Sequence, residues 1–126
     1  MFFQLSTATA VAFASAALAA PKNPDQCTTS TFPTQIRLAY AGDHGMAVSW
    51  NTKQQLTNPT VYFGKDQRIN RVAQSDVSTT YPSSSTYNNH VVLTGLEPDT
   101  TYFYKPNCGN STYTFTTARR AGVTHG

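Results

Sequence analysis

Three histidines and a small set of carboxylates are the side chains that could hold a metal ion or move a proton here. They are His44, His90 and His125, with Asp43, Asp66, Asp76, Glu97 and Asp99. A metal centre needs such ligands at short spacing on one element, as in His-Glu-x-x-His or Cys-x-x-Cys, and neither pattern occurs. Asp43-His44 looks like a fragment of a metal motif. Gly42 and Gly45 flank it between two alternating apolar stretches, so the expectation is a hairpin turn. His90 is expected to pack or hydrogen-bond across a strand, and His125 falls in the tail. Ser83-Ser84-Ser85 offers hydroxyls, but no His and acid accompany it in an order that would form a nucleophilic triad. No catalytic and no metal-binding residue is assigned, and no cofactor is expected in this chain.

Other groups carry other chemistry. Asn110-Ser111-Thr112 is an N-glycosylation sequon in an expected turn, whereas Asn58-Pro59-Thr60 is blocked by its proline. Tyr40, Tyr62, Tyr81, Tyr87 and Tyr104 could stack on sugars or contact a protein, although packing explains most of them.

Residues 1–19 read as a secretory signal: an Ala-rich apolar stretch ends in Ala17-Leu18-Ala19, a small-x-small cleavage site. Localisation is therefore expected to be secreted, with no membrane association once the signal is removed. An oxidising compartment and an even cysteine count favour a Cys27–Cys108 disulfide. Charged residues make up only 12% of the 126 residues, and the net charge of +3 forms no Lys/Arg cluster, which argues against nucleic-acid binding.

The elements that must position these groups read as strands. Residues 20–32 form an extended, Pro-punctuated lead-in, residues 33–118 a single domain, and residues 119–126 a tail. Gln35–Ala41 alternates with Ile36, Leu38 and Tyr40 on one face, so Leu38 is expected in the core. Met46–Trp50 follows as its hairpin partner, pointing Met46, Val48 and Trp50 inward. Thr60–Gly64 carries Val61 and Phe63 on one face, and Arg68–Gln74 is a weaker strand with broken periodicity. A short edge strand is expected near Thr79–Tyr81, then strands at His90–Thr94, Tyr102–Lys105 and Thr112–Thr117. The spacing Leu96-x-Pro98-x-Thr100-x-Tyr102 is the sequence form of a tyrosine corner, in which a Tyr hydroxyl bonds back to upstream backbone and pins a crossover between two sheets. The expectation is an all-β, fibronectin type III-like β-sandwich of about seven antiparallel strands, with Trp50, Val48, Leu38 and Phe63 in its core.

Four stretches, TFPTQIRLAYAGDHGMAVSWNT, PTVYFG, YNNHVVLTGLEPDTTYFY and STYTFTTARRAG, together resemble the N-terminal domain of purple acid phosphatases of fungal type. The resemblance runs from about Phe32 to Gly122. It implies a secreted enzyme in which such a domain precedes a metallophosphatase domain that binds two metal ions and hydrolyses phosphate monoesters at acidic pH. That catalytic domain would be the partner of this chain and the home of the dinuclear centre. The family's Gly-Asp-x-x-Tyr, Gly-Asn-His and Gly-His-x-His ligand motifs do not occur here, and Gly42-Asp43 falls in the first hairpin. No ligand position carries over. The function implied is that of a non-catalytic N-terminal domain; the alternative is a stand-alone secreted module that binds a glycan or a protein.

Overall fold

Alternating apolar, β-branched and aromatic residues build eight strands in the computed structural model, which describes residues 21–119. The expected signal peptide, His125 and nearly all of the tail lie outside the described residues. The strands are β1 Thr34–Tyr40, β2 Met46–Thr52, β3 Thr60–Gly64, β4 Arg71–Gln74, β5 Val77–Thr79, β6 Tyr87–Leu93, β7 Thr101–Pro106 and β8 Tyr113–Thr116. They form two four-stranded sheets, β1-β2-β6-β5 and β4-β3-β7-β8, in which every pairing is antiparallel. The expected β-sandwich is present, with eight strands where about seven were anticipated.

The core follows the alternation. Met46, Val48 and Trp50 of β2, Val91 and Leu93 of β6, Val61 and Phe63 of β3, Tyr102 and Tyr104 of β7, and Phe115 of β8 form one buried cluster. Trp50 is fully enclosed, and its indole Nε1 has no hydrogen-bond partner among the described residues.

Leu38 is a correction to the expected core. It pairs in register with Val48 and shares its inward face, yet it stays 40% exposed. Tyr40, paired with Met46, is 64% exposed. Alternation tells which face a side chain joins, but β1 is the outermost strand of its sheet and its inward face is not fully covered. A second irregularity lies on the same strand. Thr34 pairs with Asn51 and Arg37 with Ser49, three residues against two, so β1 bulges there, with Gln35 at φ 52°.

Other strand limits moved for local reasons. The strand expected at Arg68–Gln74 begins at Arg71, because the Asp66 carboxylate accepts the Arg68 N–H at 2.9 Å and the Asp66 carbonyl accepts that of Ile69 at 3.2 Å. That turn consumes the first residues. The short edge strand lies at Val77–Thr79 rather than Thr79–Tyr81, because Ser75 Oγ donates to the His90 carbonyl and brings the chain onto β6 at once. β6 starts at Tyr87, ahead of His90, where it meets the longer β2 at Thr52.

In the hairpin between β1 and β2, Gly42 takes φ +76°, open to any glycine but strained for other residues. Gly45 is needed for a different reason: a Cβ there would sit 2.4 Å from the Ala41 carbonyl oxygen.

Candidate functional site

The structure disperses the residues singled out for metal or acid–base chemistry. His44 lies in the β1–β2 hairpin, where its Nδ1 is 3.3 Å from the Leu96 carbonyl and its own carbonyl accepts the Leu96 N–H at 2.9 Å. Asp43 and His44 are exposed in the turn of that hairpin, and Gly45 beside them is buried. His90 sits on β6, with Nδ1 2.9 Å from Ser49 Oγ across the strand. Asp66 pairs with Arg68 at 2.9 Å, and Glu97 pairs with Lys65. The Arg68 guanidinium lowers the Asp66 carboxyl below the usual carboxylate range. Among the described residues no group of three or more His, Cys, Asp or Glu side chains converges.

The hydroxyl run is equally local. Ser84 Oγ donates to the Thr86 carbonyl at 2.9 Å and closes a turn. Asn110 is exposed between β7 and β8, and Tyr81 is 66% exposed in the β5–β6 loop. Tyr104 belongs to the core, its ring centroid 5.5 Å from that of Phe115.

The corner is built as its spacing requires. Tyr102 is buried, and its hydroxyl accepts the Glu97 backbone N–H at 2.9 Å. Leu96 is 2% exposed, and Thr100 Oγ1 donates to the Pro98 carbonyl at 2.8 Å. Thr117 completes the assembly: its Oγ1 donates to the Glu97 carbonyl and accepts the Thr100 N–H at 2.9 Å. Cys27 and Cys108 are joined in a disulfide that spans 81 residues and fastens the lead-in to the end of β7. Beside it, the Asp25 carboxylate accepts the Thr57 N–H at 2.9 Å, and Asn107 Nδ2 donates to the Asp25 carbonyl at 2.9 Å.

Two polar assemblies escaped sequence reasoning. Asn89 is fully buried on β6, where Ser78 Oγ donates to its Oδ1 at 2.6 Å and its Nδ2 donates to Thr52 Oγ1 at 3.0 Å. The single hint was a polar residue in phase with Val91 and Leu93. On the opposite face of the same sheet, a concavity of about 540 Å³ is lined by Arg37, Asn51, Thr80, Tyr81, Thr86 and Asn88, with hydroxyls and amides around them. Nothing in the sequence brings these residues together.

Residues 33–117 match the family described as Purple acid Phosphatase, N-terminal domain. The chain belongs to this family. Acid phosphatase A of Cryphonectria parasitica is 40% identical over 98 residues, which cover 77% of this chain and 19% of the relative. Two Arabidopsis thaliana proteins are each 30% identical: probable purple acid phosphatase 20, over 75% of this chain and 22% of its own length, and purple acid phosphatase 23, over 72% and 24%. This purple acid phosphatase N-terminal domain thus spans about a fifth of the curated relatives it matches. In shape it is similar to the fn3 domain of human contactin 1, with a TM-score of 0.50 at 14% identity, over 94% of this chain and 100% of that one. The fibronectin type III-like fold is therefore established, and the likeness extends to fold alone.

Proposed function

We propose that this chain is a non-catalytic, secreted N-terminal domain that packs against the metallophosphatase domain of a purple acid phosphatase. The observation that carries the reading is the open seam between the outer strands β1 and β8. Leu38 and Tyr40 face inward there only partly covered, beside Met46 and Phe115, around a cavity of about 380 Å³. Tyr113 extends the apolar strip and is 43% exposed. Exposed, contiguous apolar surface of this kind marks an interaction face. The seam borders the last strand among the described residues, and in a relative about four times as long as this chain the remainder of the protein is available to cover it. The paired metal ions and phosphomonoester hydrolysis at acidic pH belong to that partner domain. Asn110, exposed on the turn before β8, would carry the glycan of the secreted form.

Two measurements test the reading. The chain, supplied with iron, zinc or manganese, is expected to hydrolyse no chromogenic phosphate ester at acid pH; turnover lost on chelation would refute it. In a chimera carrying this chain in place of the matching region of acid phosphatase A, the pair Leu38→Ser and Tyr40→Ser should lower the Tm of the chimera and leave that of the lone chain unchanged. Equal effects on both would place the docking face elsewhere.

A further inference from the structure

We infer that the concavity on the outer face of the β1-β2-β6-β5 sheet binds a saccharide bearing a carboxylate. The inference stands apart from the docking seam, which involves the inward side of β1.

The bulge on β1 is where the site begins. It sets Arg37 opposite Ser49, and from there the guanidinium reaches across two strands. Nη1 donates to the Gln35 carbonyl at 2.9 Å and to Asn51 Oδ1 at 3.0 Å, and Nη2 donates to Asn88 Oδ1. Asn51 and Asn88 are register partners on β2 and β6, so one arginine orients both amides. Bulges recur where a strand must re-aim a side chain.

This arrangement has a chemical consequence. With both amide oxygens occupied by Arg37, the two amides offer N–H donors. Asn51 Nδ2 donates to Thr86 Oγ1 at 2.8 Å, while Asn88 Nδ2 has no acceptor among the described residues. Arg37 keeps its Nε–H and one Nη2 proton, the pair of donors that a carboxylate bridges. No acidic side chain lines the concavity, and Arg37 makes no ion pair among the described residues. The positive charge therefore has no counter-charge among the described residues and is open to an anionic ligand.

The remaining lining suits hydroxyl groups. Thr80 Oγ1 and Ser84 Oγ both donate to the Thr86 carbonyl, at 2.7 Å and 2.9 Å, and Ser84 Oγ also accepts the Thr86 N–H at 3.2 Å, so Thr80 Oγ1 is the hydroxyl best placed to accept from a polyol. Tyr81 presents its ring at the rim, 66% exposed, where a sugar face can stack on it. A volume of about 540 Å³ lies within the ~300–1,000 Å³ usual for ligand sites. One guanidinium without a second cation fits a monoanionic carboxylate better than a phosphate dianion. A uronic-acid sugar combines all of these features.

The test is a titration of the full chain, followed by calorimetry and by amide NMR, with a uronic-acid trisaccharide, a neutral trisaccharide and inorganic phosphate. Saturable binding of the uronic sugar is expected, with shifts at Arg37, Tyr81 and Asn88 and at least about tenfold preference over the neutral sugar. Tyr81→Ala, in an exposed loop, should keep the unfolding midpoint and weaken binding about tenfold. Arg37→Gln should reduce affinity for the uronic sugar to that for the neutral one. The proposal fails if the uronic sugar gives no saturable shift, if phosphate binds as tightly, or if Tyr81→Ala binds like the unaltered chain.

Discussion

The phenol of Tyr102, on β7, accepts a hydrogen bond from the backbone N–H of Glu97 at 2.9 Å, five residues upstream. The loop between β6 and β7 must leave one sheet and enter the other, and this bond fixes its path. Its neighbours hold it in turn, through the Leu96 N–H on the His44 carbonyl and the Asp99 N–H on that of Ala118. Tyr102→Phe keeps the buried ring and removes only the acceptor. We expect a loss of about 1–2 kcal/mol, read from the urea midpoint. Tyr113→Phe, on an exposed ring, should change stability by less than ~0.5 kcal/mol. Equal effects would mean that the corner bond contributes nothing.

The disulfide closes a loop across a sequence separation of 81. In the chain-entropy account such a closure contributes about 4–5 kcal/mol. Replacing Cys27 and Cys108 together by Ser should lower stability by about that amount and free the lead-in. The contacts of Asp25 with Thr57, Asn58 and Asn107 would then lose their tether. Hydrogen exchange at the Thr57 and Asn58 amides reports this release, and unchanged protection there would contradict it.

Asn89 presents a buried side-chain amide to three partners, and one substitution removes a hydrogen bond from each. In Asn89→Leu, Ser78 Oγ, Thr52 Oγ1 and the Trp50 carbonyl lose their shared neighbour. Ser78 Oγ keeps the Leu56 N–H and Thr52 Oγ1 keeps the Gln54 carbonyl, so each loss is that of one hydrogen bond, about 0.5–1.5 kcal/mol. A total loss near 3 kcal/mol is expected. In the cycle with Ser78→Ala, a coupling of at least ~1 kcal/mol should appear, because the two changes remove one shared bond. Additive losses would show that the network is not cooperative.

Burial pushes the Tyr104 phenol above its ordinary value of 10.0, and the neighbouring Tyr113 adds to the shift. The folded state therefore holds the proton more tightly than the unfolded chain does. Stability from this group is complete below about pH 10 and is lost as pH rises through the higher folded value. Between about pH 9 and 11, Tyr104→Phe should lose stability less steeply than the unaltered chain, in urea titrations at fixed salt. Parallel slopes would rule out a contribution from Tyr104.

Legibility in the sequence followed distance along the chain. The corner lies within seven residues, Leu96 to Tyr102, so its types and spacing are sufficient to find it. The two-residue period of a strand likewise assigned the faces of Met46, Val48 and Trp50, because successive side chains point to opposite sides whatever the rest of the molecule does. Family membership rested on the same local stretches. Coverage is a different matter. Leu38 obeys the period yet stays 40% exposed, because burial depends on what stands opposite, and β1 ends up at the margin of its sheet. Partners far apart in sequence were decided by register alone: Arg37 meets Asn88 across 51 residues, and Asn89 meets Thr52 across 37. Short-range alternation and turn chemistry thus determined the strands, their faces and the corner. Sheet pairing over long separations decided which inward face lies open and which polar side chains converge, since neither property exists until the strands are laid side by side.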